Sequence, residues 1–344
     1  MININQLIRN NIKNLQAYSS ARDEFTGTEG IFLDANENPF GTLNRYPDPH
    51  QKALKAALAA IKNVQPNEIF LGNGSDEVID LSFRIFCEPG KDKALTFTPT
   101  YGMYDVSAAI NNIELVKIPL NAAFQINWDV VLPLKDDAAI KLIFVCSPNN
   151  PTGNNINNIE KLLQHFNAMV VVDEAYIDFS DAPSFINLIQ QYPNLIVSQT
   201  FSKARGLAAA RVGIAYGSSD IISYYNKVKP PYNISALNQE AALVALQNNQ
   251  QTNVEIQTIL NEKEKLIVAL GTLPIVKKIY PSAANFILVA FDDANATYEK
   301  LVAQQVITRN RKSVVNNCIR ITVGAPNEND ALMKALQQLN NTQN

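Results

Sequence analysis

Two histidines and three cysteines are all that this 344-residue chain holds of the side chains most often used for metal sites and nucleophile–base pairs. His50 and His165 stand far apart in polar, helix-like surroundings, which argues against a histidine-based triad or a metal site. Cys87, Cys146 and Cys318 have no metal spacing, and an odd, scattered set of three reads as free thiols in a reducing compartment. An excess of one charge is missing too. The 29 Lys and Arg against 32 Asp and Glu leave a net charge of -3, no basis for expecting nucleic acid or an anionic membrane as a partner. No apolar run approaches the length of a membrane span and no signal-peptide core opens the chain, so a cytoplasmic location is expected. Residues 1–22 lack acids and carry Arg9, Lys13 and Arg22, as a transit peptide would. The spacing of Ile4, Leu7, Ile8, Ile12 and Leu15 instead suits a short packing helix.

What is present is an ordinary globular composition, 47% hydrophobic and 18% charged, in a chain long enough for a large domain and a smaller one. Apolar, strand-like runs at 94–98, 142–146, 170–172, 195–198 and 212–216 alternate with helical patterns such as 51–61 and 78–86. That alternation predicts an α/β fold whose mainly parallel sheet is covered on both faces. From about Asn233 the pattern changes to long helical stretches at 236–247 and 254–270, strand-like runs at 285–289 and 318–323, and a last helix near 330–339. The expected organisation is a large domain at 28–245 and a smaller α+β domain from 1–27 and 246–344. The polar stretch 247–253 is the expected hinge.

Lys203 is the most informative residue. It follows the apolar run Leu195-Ile196-Val197, and burying an unpartnered ammonium is costly. A desolvated lysine near other cations has a lowered pKa and an amine free to attack a carbonyl. Arg211 lies eight residues on. A nucleophilic lysine with an arginine anion clamp suits pyridoxal 5'-phosphate, an aldehyde that carries a phosphate. A surface Lys and a loop Arg would look the same in isolation.

Three upstream segments weigh on that choice. Cys146-Ser147-Pro148-Asn149-Asn150-Pro151-Thr152-Gly153 follows an apolar run, and strand ends are where open α/β sheets bind ligands. Asn150 could donate to the phenolate oxygen of the cofactor; a plain Asn-Pro turn gives the same dipeptide. In Val170-Val171-Val172-Asp173-Glu174-Ala175-Tyr176 a carboxylate ends a β-branched strand. Asp173 suits the pyridine nitrogen and Tyr176 suits the phenolate; a solvated strand end with a half-buried tyrosine is the alternative. Leu71-Gly72-Asn73-Gly74-Ser75-Asp76-Glu77 opens a helical pattern, where glycines expose backbone N–H groups to a phosphate. It also approaches Gly-x-Gly-x-x-Gly, with Glu77 in place of the last glycine, which weakens a nicotinamide reading.

In this order, with the lysine last, the segments resemble those of a fold-type I pyridoxal-phosphate aminotransferase. From Asn14 to Leu339 the chain resembles one family, the histidinol-phosphate aminotransferases. The stretches that carry this are 14–22, 33–39, 43–48 with its Asn44-Arg45-Tyr46-Pro47, 86–92, 99–104 and 319–324. The resemblance implies a large domain with a mainly parallel seven-stranded sheet and a homodimer. It implies amino transfer between L-histidinol phosphate and 2-oxoglutarate in histidine biosynthesis, giving imidazole-acetol phosphate and L-glutamate. It implies that Lys203 binds the cofactor aldehyde, that Asp173 meets the pyridine nitrogen, and that Asn150 and Tyr176 flank the phenolate oxygen. Tyr101 would stack on the ring, with Tyr104 as the alternative. The cofactor phosphate would meet the backbone of Ser75 and Asp76, the side chains of Ser202 and Arg211, and Tyr46 from a second copy. Arg320 would clamp the α-carboxylate. Tyr18 and Arg309 would face the substrate phosphate, with Arg311 as the alternative to Arg309, and Asn36 would adjoin the substrate. A broad-range aromatic aminotransferase, or a decarboxylase of phosphorylated amino acids, would keep most of these residues. A cofactor-binding regulator would need a DNA-binding segment, and no basic helix-turn-helix pattern is visible.

Overall fold

The structure, a computed structural model, describes residues 4–19 and 30–341. The expected domain boundary at 27/28 and the Ser20-Ala21-Arg22 end of the N-terminal motif lie outside the described residues. Seven strands form one sheet: β1 (Ile69–Asn73), β2 (Lys93–Thr98), β3 (Glu114–Pro119), β4 (Ile140–Cys146), β5 (Met169–Asp173), β6 (Leu195–Thr200) and β7 (Val212–Gly217), in the order β1-β7-β6-β5-β4-β2-β3. The neighbouring pairs from β3 through β6 are parallel, and β7 is antiparallel to both β6 and β1. The apolar runs at β4 to β7 exist because both faces of the sheet are covered. Val170 and Val172 join one core cluster with Leu54 and Leu58, and Val171 points the other way into a cluster with Phe83 and Phe86.

A second sheet holds β8 (Val276–Ile279), β9 (Phe286–Phe291), β10 (Arg309–Asn310) and β11 (Cys318–Thr322), in the antiparallel order β10-β11-β9-β8. Its core side meets the helices Asn249–Gly271, Ala294–Ala303 and Pro326–Asn341 through Leu266, Leu301 and Leu336.

Two features differ from expectation. The polar stretch 247–253, the expected hinge, is almost wholly helical: one residue, Asn248, separates the helix Ala236–Gln247 from the helix Asn249–Gly271. Its amides suit a helix surface, and Gln251 donates to Glu255 one turn on, at 3.0 Å. Residues 4–13, grouped by sequence with the smaller domain, form two short helices whose Leu7, Ile8 and Ile12 pack beside Phe83 and Phe86 of the large sheet's layer. The Arg9 N–H donates to the Ile85 carbonyl there, at 3.0 Å.

The topology also places the site. β1, β2, β4, β5 and β6 all end on one edge of the sheet, and the reversed β7 starts on that same edge. Ser75, Tyr101, Asn150, Asp173, Lys203 and Arg211 all stand within a few residues of those ends, at the carboxyl edge of the sheet.

Candidate active site

Asp173 forms the floor. Only 2% of it is exposed, and no cation forms an ion pair with it among the described residues. Its two oxygens are held separately: Oδ1 accepts the Ala175 N–H at 3.1 Å and Oδ2 accepts the Tyr104 hydroxyl at 2.8 Å. Burial pushes the carboxyl up from 3.8 to about 6, while these two hydrogen bonds pull it back. Above it lies a cavity of about 140 Å³ lined by Ser75, Asp76, Tyr101, Cys146, Asn150, Asp173, Ala175, Tyr176, Thr200, Ser202, Lys203, Ala208 and Arg211. The Lys203 side chain opens into this cavity, 5.6 Å above the Tyr176 ring. Loss of water around the amine lowers its pKa, Arg320 lowers it further, and Asp173 and Asp76 oppose the shift.

One end of the cavity is built for an anion. Gly74, at φ 76°, turns the chain from β1 into the helix Ser75–Phe86, whose first turn has no side-chain cap. Arg211 reaches over this turn, donating to Asp76 Oδ2 at 3.3 Å, while Tyr101 donates to Asp76 Oδ1 at 3.0 Å. A Cβ at Gly213 would run into the Gly74 carbonyl carbon and the Ser75 nitrogen, so only glycine lets β7 lie this close to the helix start.

The Asn150 turn is held by its neighbour. Asn149 donates to the Pro99 carbonyl at 2.8 Å and to Thr152 Oγ1 at 2.7 Å, tying the turn after β4 to the turn after β2 that carries Tyr101. From the second sheet, Arg320 on β11 donates to Asn150 Oδ1 and lies 5.2 Å over the Phe286 ring. Arg309 stands directly opposite Arg320 in the β10–β11 pairing, and the Arg311 N–H continues that ladder to the Cys318 carbonyl at 2.9 Å. Three guanidiniums thus share one patch. Burial lowers the pKa of both Arg320 and Arg311, and Nε of each is buried without a partner.

Nine sequence-predicted residues line the cavity: Ser75, Asp76, Tyr101, Asn150, Asp173, Tyr176, Ser202, Lys203 and Arg211. Tyr46, Tyr18, Asn36, Arg309 and Arg320 do not. Tyr46 lies in a different groove, stacked on Tyr232 at 4.3 Å, with its backbone N–H on Glu37. Tyr18 is 74% exposed and Asn36 takes a left-handed turn, φ 56°, on the surface. Of the two candidate ring stackers, Tyr101 lines the cavity and Tyr104 is fully buried beneath it. The bond from Tyr104 to Asp173 and the fit at Gly213 were not read from the sequence. A glycine two residues after Arg211 was the available signal for the second.

The model of the family "Aminotransferase class I and II" matches residues 21–336. The chain belongs to this family. Within it, the chain is 50% identical to the histidinol-phosphate aminotransferase of Cytophaga hutchinsonii, over 97% of this chain and 98% of that one. Among solved structures, the histidinol-phosphate aminotransferase of Clostridium acetobutylicum superposes with a TM-score of 0.80 at 23% identity, covering 87% of this chain and 92% of the other. The enzyme of the same name from Sinorhizobium meliloti, solved in complex with pyridoxal-5'-phosphate, gives 0.78 at 25% identity, with 87% of this chain and 84% of that one covered. No helix among the described residues is long and apolar enough to cross a membrane.

Proposed function

We propose that this aminotransferase moves the amino group between L-histidinol phosphate and 2-oxoglutarate, with pyridoxal 5'-phosphate as cofactor, as a cytoplasmic homodimer serving histidine biosynthesis. The observation that carries this reading is a lysine amine with a lowered pKa sharing one cavity with a buried carboxylate and a helix N-terminus topped by Arg211. The residues suit the group. Asp173 has no cationic partner among the described residues, and the uncapped first turn of the helix Ser75–Phe86 meets the cavity where Ser75, Asp76 and Arg211 line it.

When bound, the cofactor supplies an aldehyde for amines and a protonated ring that draws electrons from the substrate's Cα. Lys203 would hold that aldehyde, and its amine, with its lowered pKa, would move the proton at the substrate's Cα. Asp173 keeps the proton on the ring nitrogen. Asn150 and Tyr176 donate to the ring oxygen: with Oδ1 of Asn150 engaged by Arg320, its NH2 group is the free donor. Tyr101 stacks on the ring. Ser202, Arg211 and the N–H groups of Ser75 and Asp76 bind the phosphate, and Tyr46 of a second copy completes that end. The second copy is supported by Ile31, Leu33 and Phe40, each more than 80% exposed beside Leu43 and Tyr46. In the glutamate half-reaction Arg320 orients the α-carboxylate, so the Cα–H bond faces Lys203. Tyr18, Asn36, Arg309 and Arg311 read the rest of the substrate. The unpartnered, half-buried Arg311 supports it as a phosphate contact alongside Arg309. The catalytic bodies divide near residue 246, chemistry on the large sheet and the arginines on the small one.

The test is a stopped-flow amine half-reaction with the cofactor-loaded protein. A charge-assisted hydrogen bond to the substrate phosphate contributes about 1.5–3 kcal/mol, so kcat/KM for histidinol phosphate should exceed that for phenylalanine by about 10- to 100-fold. Equal turnover of phenylalanine would point to a broad aromatic aminotransferase, and released CO2 to a decarboxylase.

A further inference from the structure

We propose that Tyr104 is a positioning residue for the reaction: its buried hydroxyl fixes the Asp173 carboxylate in the orientation that meets the cofactor ring. The inference rests on the cofactor reading above and concerns a residue that does not touch the cavity.

The Tyr104 hydroxyl lies beside the Cys146 thiol and spends its proton on Asp173. The ring is 0% exposed, lies flat on Phe144 of β4 at 4.8 Å and 16°, and meets Tyr101 edge-on at 5.8 Å and 90°. From the helix Met103–Ile110 it reaches across β4 to the end of β5 and donates to Asp173 Oδ2 at 2.8 Å. With Oδ1 held by the Ala175 N–H, neither oxygen can swing away without breaking a bond. A buried phenol needs an acceptor, and a backbone carbonyl would meet that need without burying a charge. Here the acceptor is the one buried carboxylate in the cavity. The same short segment also carries Tyr101 across the cavity, so one stretch of chain sets both the ring's face and its nitrogen partner.

The other groups around the carboxylate act by charge. Asp76 raises its pKa and Lys203 lowers it, while the Cys146 thiol and the Tyr101 and Tyr176 phenols are pushed up first by burial and then further by Asp173. The Tyr104 bond favours the ionised form, so removing it must favour the protonated one.

Tyr104→Phe keeps the stack on Phe144 and deletes one oxygen. In cofactor-free protein with carbon-13-labelled aspartate, the Asp173 resonance should titrate at higher pH than in the unaltered chain. With pyridoxal 5'-phosphate added, the dissociation constant should rise about tenfold, as loss of one hydrogen bond to a charged group implies. Both half-reactions should slow by about the same factor with KM for the amines unchanged, since both use Asp173 and neither uses Tyr104 directly. In an Asp173→Asn background, Tyr104→Phe should add nothing further. An unmoved Asp173 titration, or an equal added loss in the Asp173→Asn background, would overturn the proposal. Failure of the unaltered chain to take up the cofactor would instead sink the cofactor reading, and the aspartate titration would still judge the Tyr104–Asp173 pairing.

Discussion

A carboxyl sealed from water carries a cost that depends on pH. Asp173 titrates near 6 in the folded chain against an ordinary 3.8, so folding favours its protonated form. That contribution is complete below about pH 4 and fades as pH rises through 6. At 1.36 kcal/mol per unit, a shift of about two units amounts to roughly 3 kcal/mol, an upper figure for a group buried this deeply. Cofactor-free protein should therefore show a thermal midpoint that falls between pH 4.5 and 7, and Asp173→Asn should flatten that slope. A slope unaffected by the substitution would mean that other groups govern it. Residue identities were the most legible layer of this chain. Lys203, Asp173, Asn150 and Arg211 stand out because each follows or precedes an apolar run, and the structure brings all four into one cavity. Tyr104 was legible only as a rival to Tyr101. Its partner lies 69 residues away, and no local pattern encodes a hydrogen bond across a strand.

At the scale of elements, strands sealed on both faces announce themselves and edge strands do not. β4 to β7 are almost wholly buried and read as apolar runs. β3 sits at the sheet edge with Glu114 and Lys117 turned to solvent, and β1 is hidden because its last residues are a glycine and an asparagine. The β1–β7 pair is nevertheless what shapes the anion end, through Gly213. Gly213→Ala should force β7 away from the helix start, lower stability by about 1–3 kcal/mol and weaken cofactor binding more than substrate binding. Gly102→Ala is the control: no atom lies within 4 Å of its added Cβ, so melting temperature and cofactor titration should stay unchanged. Similar losses in both variants would remove Gly213 from any special role.

At the scale of the whole molecule, Tyr46 and Lys203 lie in separate grooves of one chain. If a second copy supplies Tyr46, then Lys203→Ala and Tyr46→Phe chains, each impaired alone, should complement when mixed. Random pairing makes half the dimers hybrid with one intact site each, so about a quarter of full activity should return. No recovery after subunit exchange would show that each chain works alone. The two-sheet construction has a further consequence. Lys203 and Asp173 belong to the large sheet, while Arg309 and Arg311 sit on and beside a two-residue edge strand of the small one. Successive residues of a strand face opposite ways, so a one-residue slip of β10 against β11 would turn both arginines over while leaving Lys203 and Asp173 in place. If these arginines read the substrate as proposed, a lineage can change what the enzyme accepts through one slip of an edge strand, whereas what it does to its substrate is inherited intact.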